Sequence, residues 1–385
     1  MRYRWAVLAA GTAAQAGMAA VFLGVPVLAP ALRDEFDLSI SEVGLAISSL
    51  WIGPILTLFG WGVLADRFGE RVILGSGLGA CAALSVAAGM ADDFTTFLVL
   101  LLLAGGAGSS VNAASARAVM QWFPPDERGF ALGIRQTAIP LGGGFGALTL
   151  PLAERAGGLE AAFVLLGAYC LLTALIAVAV IREAPVRDSE FEGEAVAWTL
   201  RDRRVWTLTF GSALYLFAQM PVLSFTVLFL HDVHGMSETA AAGALVACQF
   251  GAAAGRIGAG RISDRLGNRL RPLRWIGLAS ASILLLTALL ADSVVEVVVV
   301  TLVVAAGISM SWNGLSLTAA AELAGRARSG AAIGFQQTML SVVGVGVPIA
   351  FAAVVEAASW RTAFALSALG PLAGWAMLGT LRDRV

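Results

Sequence analysis

The sequence predicts an all-α polytopic membrane protein with twelve transmembrane helices, arranged as two six-helix bundles. Three observations support this fold class. Of the 385 residues, 58% are hydrophobic and only 13% are charged, whereas a soluble domain carries about 25% charged residues. The apolar residues form runs long enough to cross a bilayer. A cluster of charged residues and glycines also recurs in both halves of the chain.

The apolar runs define the candidate spans, because a transmembrane helix needs about 20 predominantly apolar residues. The first run follows Arg2 and Arg4. It is longer than the apolar stretch of about 7–15 residues in a signal peptide, so we expect a retained helix. The spans are predicted at about 5–31, 40–64, 72–91, 94–122, 129–152, 159–181, 205–230, 238–262, 273–291, 294–321, 329–354 and 360–381.

The distribution of arginine predicts the orientation, because short cytoplasmic loops carry an excess of basic residues. All 25 basic residues are Arg. With the N-terminus in the cytoplasm, nineteen arginines fall in cytoplasmic segments and three, Arg33, Arg155 and Arg361, fall in outer loops. We therefore expect a multi-pass protein of the cytoplasmic membrane with both termini in the cytoplasm.

Composition also argues against several classes of function. The net charge of −1 leaves no basic excess for binding nucleic acid. Cys81, Cys170 and Cys248 lie singly in apolar runs, and the two histidines are close together, so no metal site is expected. The sequence has no pattern typical of a nucleophile–base pair or a phosphate-binding loop. We therefore expect no enzyme activity and no cofactor.

The longest polar segment, residues 182–204, separates the sixth and seventh spans. It carries charges of both signs and has no run long enough to cross a membrane. We interpret it as a cytoplasmic linker between an N-terminal bundle at 1–181 and a C-terminal bundle at 205–385. A short surface helix near Val196–Leu200 and a purely connecting solvated segment are both compatible with its composition.

An internal repeat relates the two halves. At an offset of 201, Asn112 aligns with Asn313, and Gln136 aligns with Gln337. The matches extend over four predicted helices, so the halves share one design. At an offset of 198, the residues that align are Gly62 with Gly260, Asp66 with Asp264, Arg67 with Arg265, Gly69 with Gly267 and Arg71 with Arg269.

The repeated motif carries a resemblance to a known family. "GVLADRFGER" and "GRISDRLGNR", together with "QWFPPDERGFALGI" at 121–134, twelve spans and a central linker, resemble the major facilitator superfamily over the whole chain. The resemblance implies a transporter of a small molecule that works by alternating access. It also implies a central cavity lined by the first, fourth, seventh and tenth spans.

The motif predicts a gate at the cytoplasmic side. Gly69 can supply a positive φ in the tight turn, and Gly62 allows a neighbouring helix to approach closely. The resemblance implies that Asp66 faces the start of the eleventh span near Ser329, and that Asp264 faces the start of the fifth near residues 126–129. A loop that only orients the chain is the alternative. The predicted gate residues are Gly62, Asp66, Arg67, Gly69, Arg71, Arg117, Gly260, Asp264, Arg265, Gly267, Arg269 and Glu322.

Polar side chains deep within the spans are candidates for the substrate site, because they are costly in lipid. The alternative for each is a hydrogen bond between helices, worth about 0.6 kcal/mol on average. The uncharged candidates are Gln15, Asn112, Gln219, Gln249, Trp312, Asn313 and Gln337.

Arg117, Arg135 and Arg256 lie inside spans, whereas no Asp or Glu lies in the middle of one. A buried guanidinium needs an anion, so Arg135 and Arg256 predict an anionic substrate. The alternative is that these side chains reach the headgroups or pair within the gate. The place of Arg256 resembles that of a carboxylate-binding arginine in oxalate/formate and monocarboxylate transporters. This chain differs from them, since it has no Lys and has Ala252 where monocarboxylate carriers have an Asp.

We therefore expect a secondary transporter of a small, monocarboxylate-like organic anion, surrounded by membrane lipid and functional as a monomer. Proton-coupled efflux of amphipathic compounds is an alternative, because "RQTAIPLGGG" at 135–144 partly resembles the antiporter motif of drug exchangers. A non-transporting membrane sensor or scaffold is a further alternative.

Overall fold

The computed structural model describes residues 3–38, 40–182, 201–325 and 328–381, and within them the chain is helical with no strand. A 3-10 turn at Val25–Leu28 follows the first helix. The helices of the first half are α1 (Tyr3–Gly24), α2 (Ala29–Phe36), α3 (Ile40–Phe68), α4 (Glu70–Gly89), α5 (Phe94–Gly108), α6 (Ser110–Trp122), α7 (Arg128–Arg135) and α8 (Ala138–Val180). Those of the second half are α9 (Arg203–Ala213), α10 (Leu216–His234), α11 (Glu238–Leu266), α12 (Leu270–Leu289), α13 (Val295–Ser309), α14 (Trp312–Ala324), α15 (Ser329–Ala357), α16 (Trp360–Ser367) and α17 (Leu369–Leu378).

These helices confirm the predicted twelve-span fold. Ten helical stretches in the described residues are long and apolar enough to cross a membrane. One of them, Arg128–Val180, has 53 residues, far more than the roughly 20 that one crossing needs. Its backbone is non-helical at Gly157 and Gly158, so it holds two spans. With α16 and α17 forming the last span, the described helices account for all twelve.

Two of the spans break at positions that the repeat aligns. Helices α5 and α6 meet at Ser109, and α13 and α14 meet at Met310–Ser311. The i→i+3 hydrogen bond from the Asn112 backbone N–H to the Ser109 carbonyl tightens the first break. The breaks place Asn112 and Asn313 in the first turn of α6 and α14.

The outer surface is apolar, as expected of helices that face lipid. Leu148, Phe250 and Leu289 are 75%, 74% and 72% exposed. Exposure of such side chains is unfavourable in water but favourable in the hydrocarbon core of a bilayer. Together with the spans, they indicate a multi-pass membrane protein.

Contacts divide the chain into two compact units. The first consists of Met1–Pro124, Arg135–Thr199 and Ala324–Thr338, as far as these are described, and the second of Pro125–Ile134, Leu200–Leu323 and Met339–Val385. Each unit therefore includes a short segment from the opposite half of the repeat. The predicted linker at 182–204 lies, from residue 183 to 200, outside the described residues, and so does the predicted helix near 196–200.

Asp93 caps the N-terminus of α5 and contributes a pH-dependent stability. Its carboxylate accepts the hydroxyl of Thr96 (2.6 Å) and the backbone N–H of Thr96 (2.9 Å), and these hydrogen bonds lower the pKa of Asp93. A lowered pKa stabilises the fold above the unfolded value, and this contribution is lost as the pH falls through the folded pKa. On acidification, we expect the thermal midpoint of the wild type to fall more than that of Asp93→Asn. Parallel pH profiles in thermal unfolding would contradict this.

Candidate functional site

The first charge cluster consists of Asp66, Glu70 and Arg117, all in the first unit. Arg117 is 5% exposed, its Nε lies 2.9 Å from Asp66 Oδ1, and its Nη1 pairs with Glu70. The Asp66 carboxylate also accepts the backbone N–H groups of Gly330 (2.9 Å) and Ala331 (2.8 Å). The predicted contact with the start of the eleventh span, α15, is therefore present. It satisfies two of the N–H groups that every helix leaves open.

The second charge cluster consists of Asp264, Arg269, Glu322 and Arg128 in the second unit. Asp264 accepts the backbone N–H groups of Gly129 (3.0 Å) and of its neighbour, residue 130 (2.7 Å). These groups open the fifth span, as the repeat predicted. The two carboxylates of the loop motif thus cap corresponding helices in the two units.

Arg269 holds the second cluster together. Its Nη1 lies 2.5 Å from Asp264 Oδ1, its Nε lies 3.1 Å from Glu322 Oε2, and its Nη2 donates to the Pro125 carbonyl. Glu322 also lies 3.5 Å from Arg128. Burial lowers the pKa of Arg269, but hydrogen bonds and charge from Glu322 and Asp264 outweigh it and raise the pKa. Arg269 therefore stays charged.

The two clusters place their acid and base in opposite order along the chain. In the first, the acid Glu70 begins α4 and the base Arg117 lies on α6. In the second, the base Arg269 precedes α12 and the acid Glu322 lies on α14. At the offsets of the repeat, Glu70 aligns with Asn268 and Arg117 with Thr318, so the two units use different positions for their ion pairs.

The motif glycines allow helices to touch through their backbones. A Cβ on Gly62 would overlap the Gly330 carbonyl oxygen, and one on Gly260 would overlap that of Gly129. Gly69 has φ 81° and Gly267 has φ 58°, conformations that favour glycine. The predicted close approach and positive φ are both present.

Three arginines of the motif lie at the surface. Arg67, Arg71 and Arg265 are exposed, and the Arg67 guanidinium lies 5.2 Å from the ring of Phe68. Neither the motif nor the apolar spans single out Glu70. Its position beside the buried Arg117 emerges only from the packing of α4 on α6.

Arg135 is 1% exposed, and within the described residues every partner of its guanidinium is neutral. Nε donates to Ser115 Oγ (2.8 Å), and Nη1 donates to Gln136 Oε1 (3.4 Å). Nη2 donates to Gln15 Oε1 (2.6 Å), the Asn112 carbonyl (3.2 Å) and the Val111 carbonyl (3.3 Å). Burying a charge without a counter-ion costs several kcal/mol in proteins, even after relaxation. This guanidinium is therefore a strong attractor for an anion.

Pairs of amide side chains occur at corresponding places in both units. Gln15 Nε2 donates to Asn112 Oδ1 (3.3 Å) in the first unit, and Asn313 Nδ2 donates to Gln219 Oε1 (3.0 Å) in the second. The structure thus brings Gln15, Asn112 and Arg135 together, as well as Gln219 and Asn313.

The remaining candidates lie apart from these pairs. Arg256 is 5% exposed and its Nε donates to the Met310 carbonyl (3.1 Å) in the second unit. Trp312 is fully buried in an apolar cluster, edge-on to Tyr215, so it does not face a surface here. Gln249 and Gln337 are partly exposed.

No group of three or more potential metal-ligating side chains occurs among the described residues.

The chain resembles known transporters along nearly its whole length. The profile of the Major Facilitator Superfamily matches residues 9–346. An uncharacterised MFS-type transporter of Mycobacterium tuberculosis is 35% identical over 373 residues, which cover 96% of this chain and 83% of that protein. A probable sulfoacetate transporter of Cupriavidus necator is 26% identical over 394 residues, which cover 93% of this chain and 89% of that protein.

The fold is also found among solved structures. The human organic anion transporter MFSD10 superimposes with a TM-score of 0.80 at 15% identity, over 97% of this chain and 99% of that one. At this identity the likeness shows the fold alone.

Proposed function

Since the chain belongs to the major facilitator superfamily, we propose that it is a secondary transporter of small organic anions that works by alternating access. Its substrates are small molecules with a carboxylate or sulfonate group. The protein functions as a monomer in the cytoplasmic membrane, in contact with lipid and with both termini in the cytoplasm.

One observation carries this proposal: the Arg135 guanidinium is buried among neutral acceptors. Its five N–H groups form a planar fork suited to carboxylate and sulfonate oxygens. Among the described residues, the neutral partners take up Nε, Nη2 and one hydrogen of Nη1, so one N–H of Nη1 can donate to a ligand. A substrate anion supplies the missing negative charge.

Two further observations support the anionic substrate. Arg256 is a second buried guanidinium, in the second unit. A relative that aligns with nearly the whole chain is named as a probable sulfoacetate transporter, and sulfoacetate carries a sulfonate and a carboxylate.

The two charge clusters form the gate in this proposal. Each consists of buried ion pairs and a carboxylate that caps a helix start through two N–H groups. Such contacts have two discrete states, made or broken, and so are suited to a conformational switch.

Uptake of radiolabelled sulfoacetate into proteoliposomes tests the function. We expect Arg135→Gln to reduce uptake at least tenfold, because it removes a charged hydrogen-bond donor worth about 1.5–3 kcal/mol. Arg361→Gln is the matched control, since Arg361 is an exposed residue paired with Asp292, and it should transport like the wild type. Size-exclusion elution of each variant shows whether it is folded.

Two outcomes would overturn the proposal. One is uptake by folded Arg135→Gln at the wild-type rate. The other is a wild-type protein that moves cationic dyes but neither sulfoacetate nor short-chain carboxylates, which would favour efflux of amphipathic compounds.

A further inference from the structure

We propose that Gln15 is a positioning residue, which keeps the Arg135 charge uncompensated and turns Asn112 into a hydrogen-bond donor for the anion. The inference rests on the proposed function, because it concerns the same site. The site is a row of three hydrogen-bonded side chains, in which Arg135 contacts the amide of Gln15 and Gln15 contacts the amide of Asn112. We call these three residues the amide row.

Arg135 determines which way both amides point. A guanidinium has only donors, so the Gln15 atom 2.6 Å from Nη2 must be the oxygen Oε1. The Gln15 nitrogen then faces Asn112 at 3.3 Å, and the Asn112 atom that it meets must be the acceptor Oδ1. Amide orientation is often ambiguous, but a fixed cation at one end of the row removes the ambiguity.

The row therefore ends on a donor. Asn112 Nδ2 lies 3.5 Å from the thioether sulfur of Met18, which is a weak acceptor. Asn112 is partly exposed, whereas Gln15 and Arg135 are each 1% exposed. An anion oxygen that approaches the row from the exposed side thus meets an N–H group backed by a buried positive charge.

The second unit has the same amide pair without the arginine, and its direction is reversed. Asn313 Nδ2 donates to Gln219 Oε1 (3.0 Å) and to the Met310 carbonyl (3.2 Å). The position that aligns with Arg135 at the offset of 201 is Gln336. The direction of the first pair therefore follows from Arg135 and is not a general property of the repeat.

Glutamine at position 15 also leaves the positive charge of Arg135 available to an anion. A carboxylate there would lie against the Arg135 guanidinium and neutralise it, as a substrate anion would. It would also accept the Asn112 N–H, so that the Asn112 oxygen would turn outward and repel an anion. A neutral amide avoids both effects.

Gln15→Glu tests this role in the purified full-length protein by thermal shift, with methanesulfonate as the probe because it stays ionised at low pH. At pH 7.5 we expect the ligand-free variant to melt above the wild type and to bind the probe at least tenfold more weakly. As the pH falls, the introduced carboxylate becomes protonated and neutral, so probe affinity should rise in Gln15→Glu but not in the wild type.

Gln121→Glu is the matched control. It adds the same carboxylate at the end of α6, in the first unit but outside the amide row, and should leave probe binding unchanged. If Gln15→Glu fails to fold, Gln15→Met provides the test. It removes the ordering of Asn112 while leaving the Arg135 charge, so affinity should fall severalfold.

The outcomes separate the two proposals. If Arg135→Gln abolishes probe binding but Gln15→Glu and Gln15→Met bind like the wild type, the role of Gln15 is wrong and the proposed function stands. If Arg135→Gln binds the probe like the wild type, or the wild type binds neither methanesulfonate nor sulfoacetate, the proposed function fails.

Discussion

Arg117→Ala should lower the free energy of unfolding by about 3–5 kcal/mol, because it leaves buried carboxylates without their counter-ion. Arg117 pairs with both Asp66 and Glu70, and Glu70 is only 3% exposed. Asp66 retains the N–H groups of Gly330 and Ala331, whereas Glu70 loses its ion pair. Denaturant or thermal unfolding of the purified protein measures the loss.

The control and the rescue variant make this prediction specific. Arg71→Ala removes an exposed arginine of the same motif, so its effect should stay within about 0.5 kcal/mol. Arg117→Met combined with Glu70→Leu replaces the pair by apolar side chains and should be more stable than Arg117→Ala. If Arg117→Ala were as stable as the wild type, the first charge cluster would contribute little to the stability of the fold.

Gly105→Val should prevent α3 and α5 from packing and sharply reduce the yield of folded protein. A Cβ on Gly105 would overlap the Leu50 carbonyl oxygen, and one on Gly53 would overlap that of Leu102. These are backbone atoms, which cannot turn aside as a side chain can. Overpacking costs about 1–3 kcal/mol even where side chains can adjust, so a backbone clash should cost more. Size-exclusion chromatography and thermal unfolding measure the effect.

Gly60→Val is the matched control for the same substitution. Gly60 lies on α3, as Gly53 does, but no atom would lie within 4 Å of its added Cβ. Valine there should be tolerated, since it has a higher helix propensity than glycine. Equal yields of Gly105→Val and Gly60→Val would contradict the close approach of α3 and α5.

The helix-capping contacts of the two motif carboxylates were predictable from the repeated motif. Asp66 and Asp264 recur with their glycines, and each caps the helix start that the family resemblance implied. The partners of the arginines were not predictable in the same way. Arg71 and Arg269 align in the repeat, yet Arg71 is exposed while Arg269 joins two acids and a carbonyl. Burial depends on packing around the whole helix, which the motif does not specify.

The sequence predicted which residues of the candidate site carry charge, but not which side chains surround them. A charged residue inside an apolar span is visible in the sequence, so Arg135 and Arg256 stood out. Their neighbours come from other helices, at separations of up to 120 residues in the case of Arg135 and Gln15. Trp312 illustrates the limit: its place beside Asn313 is visible in the sequence, but the burial of its ring in the apolar cluster is not.

The sequence by itself determined the membrane fold, the twelve spans, the repeat and the family, because these follow from hydropathy, from spacing and from a local motif. Only the tertiary structure decided which charges are paired. It placed Glu70 on Arg117, and it surrounded Arg135 with neutral acceptors among the described residues. The physical reason is that the partners of a buried charge, ionic or neutral, come from several helices. The spacing of residues along one helix does not specify them.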